Sequence, residues 1–362
     1  MKVAMFSRSG IGVEGGNSIY LEHLIPGLLK NGYEVVTYNT DFLARRETMF
    51  PDVEHVVMPG ECVTIEAYLR TAANHVTDAI ERDDIDVLHL HCPSSALFMD
   101  LIKQSGKKAI VTHHGSQLIR PITSDVLGRA LYSEYQFSMR KADAVILHSQ
   151  IVFDSLKEKG YSNIHYVNIG TQIKPPASAD QIKRLGLEPG KYFLFVGKMR
   201  KEKGVDLAVE AYKKLDTDWP LVLAGSDSYE PDYYEALIKS ARSDPRIRFL
   251  GIVLGEKKAS LFSHAYALVN PLRIKGLPLV VLEAMSYGRC VLSSDSCAHQ
   301  EVMRKHSRLF KCNDTERLAS GMRELLDDPA LVKRLGEGSK AYVQKHHNID
   351  DVADLCDRLY RS

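Results

Sequence analysis

One rhythm constrains this chain more than any other feature. Short, nearly continuous apolar runs, rich in β-branched and aromatic residues, alternate with helical periods along almost its whole length. The runs KVAMFSR (2–8), EVVTYNT (34–40), DVLHLH (86–91), KAIVTHH (108–114) and AVILHS (144–149) form a first series. A second contains IHYVNI (164–169), YFLFVG (192–197), PLVLAG (220–225), RIRFLG (246–251), YALVNP (266–271) and CVLSS (290–294). Between them lie helical stretches such as SIYLEHLIPGLLKNG, GVDLAVEAYKKL and PLVVLEAMSYG. A strand apolar at successive positions needs cover on both faces, and a helix between two strands makes the crossover that supplies it. The expected class is α/β, with parallel sheets clothed by helices.

At about 150 residues per domain, 362 residues suggest two domains. The stretch GTQIKPPASADQIKRLGLEPG (170–190) holds a Pro-Pro pair and no strand pattern, and reads as a linker. The expected organisation is a first domain over 1–170, a linker over 171–190 and a second domain over 191–345. A C-terminal helix in 346–362 can pack on either half, including back on the first. Each domain is expected to carry a doubly wound sheet of about six strands, with ligands at the strands' carboxyl ends.

Lys and Arg total 47 against 46 Asp and Glu, a formal net charge of +1, so the chain lacks the global basic field of a dedicated nucleic-acid binder. A 44% hydrophobic content excludes the disordered and fibrous classes. No run reaches the roughly 18 apolar residues of a membrane span. The N-terminus MKVAMFSRSG turns polar too soon for a signal peptide and reads as a first strand. Six scattered cysteines without a CxxC pair fit reduced thiols in a cytoplasmic protein.

Several constellations sit where ligands are expected. Gly10-x-Gly12-x-x-Gly15-Gly16 follows the first strand and precedes a helix. It matches the dinucleotide fingerprint, with Asp41 as a ribose-binding acid; a longer loop bringing backbone N–H groups to a ligand, or a plain tight turn, accounts for it as well. Histidines gather at three strand ends, as His89 and His91, His113 and His114, and His148. A metal pair is one reading of His89 and His91, which share a face, but no acidic ligand stands at a later strand end. The expectation is that one or two line a ligand site and hydrogen bonds satisfy the rest. Asp84-Ile-Asp86 and Asp216-Thr-Asp218 immediately precede strands, opposite the ligand-binding edge, and are discounted.

Two stretches of the second half are more specific. In Phe195-Val-Gly-Lys-Met-Arg-Lys-Glu-Lys-Gly204 a strand ends, four cations follow within six residues, and a helix begins. Cations beside free N–H groups at a helix start make an anion site; a solvated basic loop is the plainer alternative. The segment 270–288 holds a helix apolar nearly all round, starting near Pro278 and ending at Gly288. Its lone acid, Glu283, needs a specific partner if buried: ribose hydroxyls, or a structural ion pair or cap.

Taken together, LRIKGLPLVVLEAMSYGRCVLSS, FVGKMRKEKGVDLAVEA and the N-terminal glycines resemble retaining glycosyltransferases of GT-B fold, family 4, with VTHHGS, KADAVILHS and LAGSDS as weaker echoes. The resemblance spans essentially the whole chain. It implies two Rossmann-like doubly wound domains facing across a cleft. It also implies transfer of a sugar from a nucleotide-sugar to a glycan, lipid or small-molecule acceptor, as in polysaccharide or glycoconjugate synthesis. The family's basic pair at the donor diphosphate falls on Lys198, where Arg is usual, and Lys203. Its ribose-holding glutamate falls on Glu283, its glycine loop on Gly15 and Gly16, and its histidine near the donor sugar on His114. Backbone around Gly276, Leu277 and Pro278 would approach the diphosphate and sugar. No metal and no other cofactor is implied if Lys198 and Lys203 neutralise the leaving group.

Two departures stand out. The first glutamate of the family's pair would fall at 275, where this chain has Lys275. The family's glycine-rich turn reads Ser296-Cys-Ala-His-Gln-Glu301. Lys275 points either to an acidic donor sugar or to a side chain turned outward with Arg273 beside it. Two other classes remain: an epimerase or hydrolase of the same fold, and a non-catalytic nucleotide-sugar-binding subunit. With a lipid acceptor, the helix carrying Tyr132, Tyr135, Phe137, Arg140 and Lys141 is an amphipathic candidate for peripheral contact with the inner face of a membrane; a packed surface helix explains it equally.

Overall fold

The apolar runs become two all-parallel sheets in a computed structural model that describes residues 1–7, 16–40, 50–58, 65–91, 93–114, 126–226, 230–273, 279–296, 303 and 305–362. A first unit comprises Met1–Gly170 with Ile349–Ser362, and a second comprises Thr171–Asn348.

The first sheet has seven strands: β1 (Lys2–Phe6), β2 (Glu34–Thr40), β3 (Glu54–Met58), β4 (Val87–Leu90), β5 (Lys108–His113), β6 (Ala144–Leu147) and β7 (Ile164–Tyr166). Their spatial order is β3-β2-β1-β4-β5-β6-β7. The second sheet has six: β8 (Phe193–Val196), β9 (Leu221–Ala224), β10 (Ile247–Gly251), β11 (Ala267–Asn270), β12 (Cys290–Ser294) and β13 (Arg308–Phe310), in the order β10-β9-β8-β11-β12-β13. In each sheet the first strand in sequence lies inside, and the winding reverses beside it. Such a reversal opens a crevice at the carboxyl ends of the strands. Every residue of β4, β6, β9 and β11 is buried, as continuous apolar runs require.

Three details differ from the sequence reading. IHYVNI supplies β7, the last strand of the first sheet, where Val145 pairs with Ile164. The strands β3 and β13 were not expected: β3 is an edge strand with Val57 47% exposed, so its hydrophobic signal is mixed, and β13 has only three residues. Residues 171–190 are not a free linker, because they belong to the second unit and pack there. The short helix Asp180–Arg184 buries Ile182, the Ala177 N–H donates to Ser263 Oγ (2.8 Å), and Ser260 Oγ donates to the Ser178 carbonyl (2.7 Å). The prolines exclude a strand there without preventing burial.

The helix Pro329–His346 ends the second unit's helices, and Ile349–Arg361 is part of the first unit. This C-terminal helix lies against the helix Gly16–Lys30 so closely that a Cβ on Gly27 would stand 2.9 Å from Ala353 Cβ. Tyr33 donates its hydroxyl to Asp357 (2.7 Å). In the helix Val126–Lys141, Tyr135 is buried and bonded to His113 Nδ1 (2.9 Å), whereas Phe137 is 52% exposed beneath the Lys141 ammonium (4.0 Å). Among the described residues, no helix is long and apolar enough to cross a membrane.

Candidate active site

The parallel strands of the first unit deliver its histidines to one carboxyl edge. His89 is held between the Tyr360 hydroxyl at Nδ1 and Thr112 Oγ1 at Nε2 (2.7 Å). His91 Nδ1 meets His114 Nε2 at 3.2 Å, so one ring donates and the other accepts. His148 Nδ1 lies 3.0 Å from the Val167 carbonyl, which only accepts. Nδ1 therefore carries the proton, and Nε2 accepts from the Tyr20 hydroxyl (3.0 Å). Tyr20 meets the His114 ring edge-on at 4.6 Å.

Burial without an acid nearby favours the neutral imidazoles. It pushes His148 down to about 4 against the Val167 hydrogen bond, and, with neighbouring histidines adding to it, pushes His89 to about 3 and carries His91 and His114 well below the usual histidine range. The array is thus a neutral wall of donors and acceptors, with His114 its half-buried member. Among the described residues, no three His, Cys, Asp or Glu side chains converge as a metal site would require.

Gly16 opens the 15-residue helix after β1, and a Cβ there would meet nothing within 4 Å. Asn17 Nδ2 donates to the His91 carbonyl (3.1 Å), tying the helix start to the end of β4. Gly10, Gly12, Gly15 and Asp41 lie outside the described residues. Asp84 and Asp86 stand at the amino edge, where Lys2 contacts both through its ammonium and backbone N–H, 2.7 Å each.

In the second unit the basic loop leaves the carboxyl end of β8. The buried Met199 anchors it, with its N–H on the Ser226 carbonyl (3.0 Å), and a single 3-10 turn, Lys201–Lys203, leads into the helix Val205–Tyr212. Lys198 and Lys203 are half-buried and Lys201 is exposed. Between turn and helix stands Gly204 in the left-handed region (φ +70°), where a Cβ would fall 2.0 Å from the Pro271 carbonyl oxygen. Only glycine permits that approach, which brings the basic loop onto the loop after β11.

Glu283 lies in the helix Leu279–Ser286, seven of whose eight residues are buried. It is 7% exposed and pairs through Oε1 with the Lys258 ammonium (2.6 Å), from the helix Gly255–His264. The ion-pair alternative for Glu283 therefore has a named partner, one that sequence reasoning missed because it lies on another helix. Arg273, expected only as the neighbour of an outward-turned Lys275, is engaged with Asp206 (2.6 Å). Ser294 and Ser296 both donate to the Leu272 carbonyl. Lys275, Gly276, Leu277, Pro278 and residues 297–301 lie outside the described residues.

Comparison with known proteins identifies both halves. A family model described as Glycosyltransferase Family 4 matches residues 14–173, and one described as Glycosyl transferases group 1 matches residues 177–342. Alpha-D-kanosaminyltransferase of Streptomyces kanamyceticus is 24% identical over 300 residues, covering 76% of each chain. Sucrose-phosphate synthase from Thermosynechococcus elongatus superposes with a TM-score of 0.81 at 22% identity, over 99% of this chain and 98% of that one. Anabaena HepE, solved in complex with UDP and glucose, gives 0.80 at 15% identity over the whole of both chains.

Proposed function

The chain belongs to the group 1 glycosyltransferases of GT-B fold, and from that premise we propose that it transfers a sugar, with retention at the anomeric carbon, from a nucleotide-sugar to a glycan, lipid or small-molecule acceptor. The observation that carries this reading is the loop after β8, which presents Lys198 and Lys203 half-buried at a helix start. Two ammonium groups at the positive end of a helix suit a nucleoside diphosphate as ligand and as leaving group. In this reading the lysines offset the leaving-group charge without a metal, and Glu283 takes the ribose hydroxyls. The resemblance also assigns donor binding to Gly15, Gly16, His114, Lys275, Gly276, Leu277 and Pro278. The leaving diphosphate stays close and deprotonates the acceptor from the same face, so catalysis rests on positioning and electrostatic stabilisation.

The UDP and glucose bound by HepE make a UDP-sugar the first donor to test. Lys275 leaves two donor readings, a sugar with its own negative charge such as a uronic acid, or a neutral sugar with Lys275 turned outward; turnover of a neutral donor that survives Lys275→Ala would remove the first. The free, buried thiols of Cys290 and Cys356 fit a cytoplasmic setting, at the inner membrane face when the acceptor is a lipid.

The deciding experiment is calorimetry with UDP, GDP and ADP on the wild type and Lys203→Ala. A charge-assisted contact contributes roughly 1.5–3 kcal/mol, so the variant should bind its preferred diphosphate about tenfold or more weakly. Unchanged affinity would leave the loop a solvated face. Binding without turnover on any donor would favour a non-catalytic subunit.

A further inference from the structure

Arg273 follows β11, and its guanidinium is enclosed by protein acceptors. Nη1 and Nη2 grip the two Asp206 carboxylate oxygens (2.6 and 2.7 Å), Nη1 also donates to the Lys201 carbonyl (2.6 Å), and Nε donates to Asn313 Oδ1 (2.7 Å). Its backbone N–H donates to the Glu202 carbonyl (2.9 Å). A guanidinium has five N–H donors, and these four bonds leave too few for a second fork on a diphosphate.

The acceptors come from three separate loops or turns at the carboxyl edge of the second sheet. Lys201 and Glu202 belong to the 3-10 turn, Asp206 to the first turn of the helix it leads into, and Asn313 to the loop after β13, where its φ is +62°. Tyr233 completes the cluster, donating its hydroxyl to Asp206 Oδ1 (2.8 Å) and accepting the Asp206 N–H (3.1 Å). Hydrogen bonds from Arg273 and Tyr233 outweigh burial and hold the Asp206 carboxyl below the usual range. The approach of Gly204 to Pro271 binds the same two loops backbone to backbone.

We propose that Arg273 is a positioning residue that fixes the Lys198–Lys203 loop for diphosphate binding without touching the ligand. The inference rests on the reading of that loop as the diphosphate site. A lysine at 273 keeps the charge but cannot reach Asp206, Lys201 and Asn313 together, so the loop would lose its fixed geometry while the sheet beneath keeps its core.

The test measures UDP and uridine affinities for the wild type, Arg273→Lys, Lys203→Ala and the double variant, well below their unfolding temperatures. It also measures amide exchange over residues 198–204. Expected are a tenfold loss of UDP affinity in Arg273→Lys with uridine affinity unchanged, and little further loss in the double variant, since both changes act through one loop. Exchange over 198–204 should rise while β9 stays protected. Equal losses for UDP and uridine, or additive losses in the double variant, would overturn the proposal. So would unchanged loop exchange in Arg273→Lys, whatever UDP does. An unchanged UDP affinity in Lys203→Ala alone would instead remove the diphosphate reading, leaving the exchange result to decide whether Arg273 fixes the loop.

Discussion

Lowering the pH from 7.5 to 5 should destabilise the first unit by at least about 4 kcal/mol, an order-of-magnitude figure set by buried His89 and His148. In the unfolded chain each titrates near 6.5. In the fold, burial pushes His89 down to about 3 and His148 to about 4, with His91 well below the ordinary range. Below pH 6.5 the unfolded chain binds protons that the folded one refuses, so unfolding gains about 1.4 kcal/mol per histidine per pH unit. At pH 5 that is about 2 kcal/mol for each of His89 and His148, and His91 acts in the same direction. The half-buried His114 is left out because solvent screens it. Above pH 6.5 the contribution is complete and flat; it is lost as pH falls from 6.5 toward 4. A domain's stability is about 5–15 kcal/mol, so the loss is large.

The assay is urea unfolding at both pH values with two probes. Trp219, the chain's one tryptophan, lies in the second unit, so its fluorescence follows that unit while far-ultraviolet circular dichroism follows both. Among the described residues of the second unit no imidazole ring lies against another, as His89 does against His91 at 4.2 Å. At pH 5 the dichroism should therefore show a transition at lower urea than the fluorescence. A dichroism midpoint unmoved between pH 7.5 and 5 would mean that burial does not hold these rings neutral, and the reasoning would fail.

Gly204→Ala should destabilise the second unit by at least about 2 kcal/mol, combining the 1–2 kcal/mol penalty of a left-handed non-glycine residue with the clash at the Pro271 carbonyl. Trp219 fluorescence in urea reads this, and an unshifted midpoint would contradict the close approach. Tyr360→Phe removes the hydroxyl on buried His89 Nδ1 and should cost the first unit about 1–3 kcal/mol, seen in the early dichroism transition; no change would mean that His89 finds another partner.

What the sequence made legible was whatever has a short period or a local surplus. Runs of buried, mostly apolar residues marked β4, β6, β9 and β11, with only His89 and Asn270 as polar positions among them. The edge strand β3 and the three-residue β13 lack that signal, one because it is part-exposed and the other because it is too short. Parallel pairing also made the histidine edge readable, because residues that end neighbouring parallel strands must meet. What closes on those histidines was not readable: Tyr360 stands 271 positions from His89. Likewise, Glu283 announced its need for a partner by being the one acid of an apolar helix, but nothing local singles out Lys258 among 47 basic residues.

The basic loop shows where composition stops being informative. Four cations between Gly197 and Gly204 read equally as a solvated face or an anion site, because charge count is the same in both. Anchoring distinguishes them. A solvated loop keeps its cations mobile and must order them when a ligand arrives, whereas a preorganised one avoids that cost. Here Met199 is buried, Gly204 lies against Pro271, and Arg273 joins the 3-10 turn to two other segments. None of these three features is itself a charge directed at a ligand: Met199 lies within the cationic run, Gly204 just after it and Arg273 far from it in sequence. In the proposed diphosphate site Lys198 and Lys203 would meet the ligand, and the glycine, the methionine and the inward-facing arginine would hold their loop in place.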